Sequence, residues 1–253
     1  MPVELQGEER LMLKPLFEKY PYLHGSAAAA VEGGMGRVYV DNPGNPQAAL
    51  AMIDFCLFAG RPDAPGVPAL FGLLRPDQHV LLPTSAWEQT FRTNFPGRYR
   101  TYTREAFQAG SFDRERLRGF VNSIPAGAEL RRVRLEDIPQ FTADLDPALV
   151  YNFTSHEDFI ARGVGFGIRY NGLFVSGASS AAIGGGKLEV EIQTHRSYFR
   201  QGWATAAAAA LVLYCLDNGL EPCWDAANPP SAGLAKKLGF ISTGPYTAYH
   251  LTG

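Results

Sequence analysis

The chain has 253 residues, of which 46% are hydrophobic and 19% charged, enough apolar material for a packed core and too much for wholesale disorder. Lys and Arg number 23 against 25 Asp and Glu, a formal net charge of −2, so no global field draws in nucleic acid or an anionic membrane, and neither is expected as a partner. At about 150 residues per domain, the length leaves one large domain or two small ones open.

The opening, MPVELQGEERLMLKPLFEKY, carries acids early and has no apolar stretch of the length that a signal peptide or membrane span needs. Residues 36–41 alternate as a strand, and Asp41-Asn42-Pro43-Gly44-Asn45-Pro46 is a dense turn signal before the apolar run 48–60, which reads equally as strand or helix. A strand is expected at 79–83. Ser85-Ala86-Trp87-Glu88 then has the form of a capping box, opening a helix that runs to about Asn94. A strand near 99–105 and a helix near 113–124 close this part. Ile124-Pro125-Ala126-Gly127-Ala128 is short and turn-prone, so the expected division is 1–127 and 128–253.

The strand-like ELRRVRL starts the second half. Ser155-His156-Glu157-Asp158 caps a short helix ending at Gly163, and strands at 164–170 and 173–182 are joined by Asn171-Gly172, a strong hairpin signal. After Gly184-Gly185-Gly186, residues 187–195 alternate with period two, a long apolar helix follows, and then a strand at 222–226 and a helix capped by Asn228 with Pro229 at its first position. The pattern is mixed α/β.

The segment 187–218 carries the chemistry. Six of the fifteen residues 203–217 are Ala and most of the rest are apolar, so this helix is expected to be buried on several sides. Its N-terminus, after a strand and a Gly-containing loop, offers unpaired amides and the positive end of the helix dipole, a site suited to phosphate, with Gly202 letting an anion approach the backbone. Alternatively, strand, turn and helix form only a packing unit. Other phosphate motifs fail: Ala181 and Leu188 break the P-loop spacing at Gly186-Lys187, and Ile168 occupies the third glycine position of a dinucleotide fingerprint.

The residues Glu189 to Thr194, Tyr198-Phe199-Arg200-Gln201-Gly202-Trp203-Ala204-Thr205, Trp224-Asp225-Ala226-Ala227-Asn228, Ser231 and Lys237-Leu238-Gly239-Phe240 resemble the acetyl-CoA-binding half of GNAT-superfamily N-acyltransferases. The resemblance is strongest over 150–250 and most like GNAT acetyltransferases of the zwittermicin A resistance type; it extends into the first half through Val38-Tyr39-Val40-Asp41-Asn42 and the Trp87 region. It implies a GNAT fold in the second half, preceded by a smaller and degenerate GNAT-like first half. Gly202 and Ala204 match the last positions of that family's diphosphate loop, Q/R-x-x-G-x-G/A, while Phe199 departs from its first. It further implies that acetyl-CoA is held by Ile192, Gln193, Thr194, Arg200, Gln201, Gly202, Trp203, Ala204, Thr205, Asn228 and Ser231, with pantetheine between two splayed strands. Arg196 is a further source of charge for the cofactor.

Acyl transfer to an amine needs a base, a polarised carbonyl and a proton for the thiolate. Glu189, Glu191 and Gln193 share one strand face; this face either lines a catalytic cleft or opens to solvent or the other half, and a bulge would exchange the two acids. The tyrosine that the resembling family places on the helix after the second strand is Ala235 here, which leaves Ser231, Tyr246 or Tyr249, or solvent, as the acid. His195 reads as a base or as a loop histidine, and Asp225 as an amine ligand or a turn cap. His24, His79, His156 and His250 show no metal-ligand spacing, and no metal is expected. No GxSxG nucleophile elbow is present. Cys215 lies in the apolar helix and reads as core. Cys56, Cys215 and Cys223 lack CxxC spacing, so no disulfide framework is legible and a reducing, cytoplasmic location is expected. The Asn152-Phe153-Thr154 sequon is then a chance match. The expected function is transfer of an acetyl group to a primary amine of a small molecule, with a non-catalytic acyl-CoA-binding module as the rival. Neither the acceptor nor the oligomeric state is legible.

Overall fold

The computed structural model describes residues 1–18 and 20–252. The first half opens with β1 (Val3–Leu5), α1 (Lys14–Phe17), α2 (His24–Val31) and β2 (Arg37–Val40). Asp41 then closes the predicted turn, its carboxylate accepting from the amides of Asn42, Gln47 and Ala48. The ambiguous run 48–60 forms two antiparallel strands, β3 (Ala48–Met52) and β4 (Cys56–Gly60). After them come α3 (Val67–Phe71), β5 (His79–Leu81), α4 (Ser85–Asn94), β6 (Tyr99–Gln108) and α5 (Arg114–Val121). Helix α4 is capped one residue earlier than expected. Thr84 Oγ1, not Ser85, accepts from Trp87 N at 3.3 Å, because Thr84 has the extended backbone a cap requires while Ser85 is already helical.

Past 127 the chain makes β7 (Glu129–Arg132), α6 (Ile138–Asp144), α7 (His156–Arg162), β8 (Gly165–Tyr170) and β9 (Leu173–Gly184). Ser155 caps α7 through Asp158 N at 3.2 Å, and Asn171 and Gly172 take the positive φ angles, 51° and 83°, of a tight hairpin turn. Then follow β10 (Lys187–Thr194), α8 (Trp203–Asp217), β11 (Glu221–Cys223), β12 (Asp225–Ala226), α9 (Pro229–Leu238) and β13 (Ile241–Leu251). The single strand expected over 222–226 divides at Trp224. Strand β11 pairs in parallel with β10, whereas β12 pairs antiparallel with β6. Trp224 is held at the pivot by its indole N–H, which donates to Ser231 Oγ at 3.1 Å, and by Phe240, 5.4 Å away.

One sheet has five strands in the order β11-β10-β9-β8-β7, and the other has eight in the order β1-β2-β3-β4-β5-β13-β6-β12. The sheets change between β6 and β7, as a boundary at 127 would have it, but β12 and β13 recross that line to join the first half's strands. Strand β13 lies past the last element read from the sequence, and a register shift between Ser242 and Gly244 accommodates Gly244-Pro245 in its middle.

The same succession of strand, helix, parallel strand, helix and strand occurs twice, as β4-α3-β5-α4-β6 and as β10-α8-β11/β12-α9-β13. Each succession gives its last strand to the other, β6 lying between β13 and β12, and β13 between β5 and β6. Helices α4 and α9 both run ten residues, and each cap reaches the third helical amide, Thr84 to Trp87 and Asn228 to Ser231. At that shared third position the two differ in consequence. Trp87 is fully buried against Phe58 and Phe71, and its Nε1–H donates to Gly60 O at 2.9 Å, so the indole fills the space past the paired ends of β4 and β5. Ser231 leaves the corresponding space in the second succession open. The Asn228 cap sets where α9 starts: Asn228→Ala is expected to cost about 1 kcal/mol, seen as a fall of about 2–4 °C in Tm by calorimetry.

Candidate active site

Strands β10 and β11 pair from Lys187–Glu221 to Glu189–Cys223 and then part, because Trp224 turns the second strand toward the other sheet. The gap between them is a cavity of about 690 Å³. Its walls are Val190 to Thr194 on β10, Trp224, Asp225, Ala227 and Asn228 on and around the departing β12, and residues of α8 and α9 near their N-termini.

At one end stands the N-terminus of α8. Ala206 N donates to Gly202 O at 3.1 Å as the helix's first bond, and the amides of Trp203, Ala204 and Thr205 ahead of it have no protein acceptor among the described residues. Gly202 has φ +90° and Arg200 φ +60°, so the loop bends sharply with backbone N–H groups on its open side. A Cβ added at Gly202 would meet nothing within 4 Å; this glycine serves the left-handed turn and the free approach, not a packing contact. Behind the loop, Ala206 to Ala209 are buried against β8, β9 and β10, which explains the small residues of α8. Lys237 from α9 lines the same cavity and lies 3.4 Å from Thr205 Oγ1, adding a cation to the helix end.

At the other end are the acids. The extra residue of the irregular pairing is Ala181 on β9, so β10 keeps its alternation and Glu189 and Glu191 share one face. Helix α2 covers the first of them. Gly25 N donates to Glu189 Oε2 at 3.0 Å, and Gly25 must be glycine because a Cβ there would lie 2.6 Å from Glu189 N. Glu189 is therefore a buried partner of the α2 N-terminus, absent from the cavity wall, and not the free base that sequence allowed. Burial, with Asp225 nearby, pushes its carboxyl up to about 8, and its Oε1 is buried without a partner among the described residues. Glu191 lies one alternation further, past the helix, and lines the cavity. Burial first, then Asp54 and Asp146, lifts its carboxyl to about 7 against a hydrogen bond from Gln193 Nε2 at 2.9 Å.

The cavity thus brings together Glu191, Ile192, Gln193, Thr194, Arg200, Gly202, Trp203, Ala204, Thr205, Asn228 and Ser231. It omits Gln201, Glu189 and Tyr246, and with them Tyr249, His195 and Arg196. Gln201 turns away, its side chain bonded to Ser197 O and Trp203 Nε1. Glu189 is under α2, and Tyr246 is stacked on Tyr22 at 3.9 Å with its hydroxyl donating to Asp225 at 2.7 Å; burial and Asp225 both hold that hydroxyl well above its usual range. Tyr249 lies elsewhere in the core, bonded to Arg92. His195 caps a short turn through Ser197 N at 3.3 Å, the loop role. Asp225 neither caps a turn nor stands free: it is paired with Arg104 and Tyr246. Arg104 itself, on β6, lines the cavity and went unforeseen, since nothing local marks a residue that reaches a partner 121 positions away.

Among the described residues no helix is long and apolar enough to cross a membrane, and no group of three or more His, Cys, Asp or Glu is placed to hold a metal ion. A model of the GNAT acetyltransferase family matches residues 14–249. The chain is 31% identical over 129 residues to the uncharacterized N-acetyltransferase YdfB of Bacillus subtilis (strain 168), a stretch that is 50% of this chain and 49% of that relative; it thus aligns with about half the curated relative's length. It is also similar to the crystal structure of a GCN5-related N-acetyltransferase-like protein from Streptococcus suis 89/1591, with TM-score 0.83 and 31% identity over 96% of this chain and 98% of that one. A tandem GNAT protein from the clavulanic acid biosynthesis pathway shares the fold at TM-score 0.62 and 14% identity, covering 98% and 97%.

Proposed function

The chain belongs to the GNAT acetyltransferase family, and on that premise we propose that it transfers an acetyl group from acetyl-CoA to a primary amine of a small molecule. The observation that carries the reading is the placement, along one cavity, of three acceptor-free amides at the N-terminus of α8 and of the Glu191 carboxyl further up β10. The residues fit the group. Trp203, Ala204 and Thr205 would hold its diphosphate through their amides with Lys237 adding charge, and Ile192 to Thr194 and Asn228 would flank its pantetheine arm. When bound, acetyl-CoA supplies a thioester whose carbonyl carbon is the electrophile.

Glu191 is the base of this reading. Its carboxylate takes a proton from the acceptor's ammonium, freeing the lone pair that forms the C–N bond as the C–S bond breaks. No tyrosine hydroxyl on α9 is available to protonate the departing thiolate, Ala235 being buried in that helix, and solvent in the open cavity serves instead. Because the basic form of Glu191 is the ionised one and its carboxyl titrates at about 7, turnover is expected to be low in mild acid, to rise through about pH 7 and to level off above it. A pH–rate profile of thiol release at saturating acetyl-CoA checks this, and a flat profile across pH 6–8 would sink the assignment.

For the first half we propose a degenerate copy of the second, supported by the repeated succession of elements and by Trp87, which fills the space that Ser231 leaves open. The solved relative described as a tandem GNAT protein agrees with this reading of the fold. The finer placement with the zwittermicin A resistance type rests on the sequence resemblance. A cytoplasmic site of action accords with the cysteine pattern. The rival, an acyl-CoA-binding module without turnover, draws support from Ala235 in place of the family's tyrosine. Thiol release from acetyl-CoA across a panel of amines separates the two: acetyl-CoA binding by calorimetry without amine-dependent release would favour the module.

A further inference from the structure

The acceptor end of the cavity holds a cation for which the scheme above has no use. Arg104 is contributed by β6, a strand of the first half, yet it lines the cavity between strands of the second. Its side chain is only 13% exposed. The guanidinium is fixed from two sides, Nε donating to Asp225 Oδ1 and the plane lying 4.9 Å over the Phe55 ring. Asp225 is in turn held by Tyr246, whose hydroxyl donates to Oδ2, and Tyr246 is clamped by Tyr22. An arginine present only to neutralise Asp225 would engage it through both prongs of its fork. Here one prong is used. Among the described residues no hydrogen bond from either Nη nitrogen to a protein acceptor is found, although Tyr102 lies beside the guanidinium, and Arg104 lines the cavity.

The surrounding charges say what such a fork would meet. Of the Asp, Glu, Lys and Arg residues in the cavity wall, Arg200 and Lys237 stand with the phosphate end, and Asp225 is neutralised. Glu191 and Arg104 remain. Glu189 pairs with Cys223, and two residues onward along each strand are Glu191 and Asp225, both on the cavity wall where the strands part. A single amine would satisfy Glu191 and leave a desolvated, preoriented fork idle. We propose that Arg104 binds an anionic group of the acceptor, so that the substrate class is a small primary amine carrying a carboxylate, with the ammonium toward Glu191 and the carboxylate bidentate on the two Nη nitrogens.

This inference rests on the acetyl-transfer reading, and its test is arranged so that the two fail differently. Thiol release from acetyl-CoA is measured for wild-type protein with the twenty common amino acids and β-alanine, each paired with its primary amide, and with simple alkylamines. The amide's less basic amine works against the expected result. At least one amino acid should be used with kcat/KM 10-fold or more above its amide, and Arg104→Gln should erase that preference, lowering kcat/KM for the acid at least 10-fold more than for its amide. If Arg104→Gln does not fold, the wild-type comparison decides alone. Amides or alkylamines turned over as well as or better than the acids would overturn this inference and leave acetyl transfer standing. Release with no amine at all, despite acetyl-CoA binding, would overturn both.

Discussion

Glu191→Gln is expected to lower kcat for amine-dependent thiol release by about 100- to 10,000-fold, the range that a positioned general base supplies. The amide keeps the shape of the carboxyl and its neighbour Gln193, so cofactor affinity measured by calorimetry should stay within a few-fold. Glu189→Gln is the control that gives the result meaning. That side chain is buried, burial pushes its carboxyl up to about 8, and its partner is Gly25 N, to which a glutamine oxygen is also an acceptor. Turnover of Glu189→Gln should therefore remain near wild type. Equal losses in the two variants, or none in either, would move the base off this strand.

The second large effect belongs to the other end of the cavity. Gly202→Glu is expected to weaken acetyl-CoA binding by at least about 100-fold in calorimetry, equivalent to roughly 3 kcal/mol. Two terms add. Charge-assisted hydrogen bonds from the amides of Trp203, Ala204 and Thr205 contribute about 1.5–3 kcal/mol each, and a carboxylate at the mouth of the loop repels the anion they serve. A side chain also resists the +90° φ of this position, at about 1–2 kcal/mol. Because a Cβ there meets no neighbour within 4 Å, the fold should survive, and an unchanged far-ultraviolet circular dichroism spectrum checks that. Retained affinity in a folded variant would remove the phosphate site from α8.

How much of this was legible in the sequence depended on the range of the interaction. The hairpin at Asn171-Gly172, the Asn228 cap and the Ala-rich helix are local: turn chemistry, a cap and composition specify them within a few residues. The loop proposed for the diphosphate belongs with them, since Gly202 and Ala204 lie side by side with the helix they open. Glu189 and Glu191 were indistinguishable because what separates them is α2, packed from more than 160 residues earlier. Arg104 was out of reach for the same reason. Trp224 looked like any strand residue, and only the arrival of β6 beside β12 shows why the strand divides there. No element was read for the stretch that forms strand β13, whose Gly244-Pro245 an irregular pairing tolerates.

The exchange of last strands between the two successions bears on how this polypeptide reaches its native state in a cell. As translation proceeds, the strands of the first half emerge with β5 and β6 lacking the neighbour that belongs between them, and β13 follows every other described strand off the ribosome. Until it does, two unsatisfied edges stand exposed, a hazard for clumping with other nascent chains. The last step is a long-range insertion rather than a local closure, which predicts slow, late maturation and a dependence on chaperones that keep those edges apart.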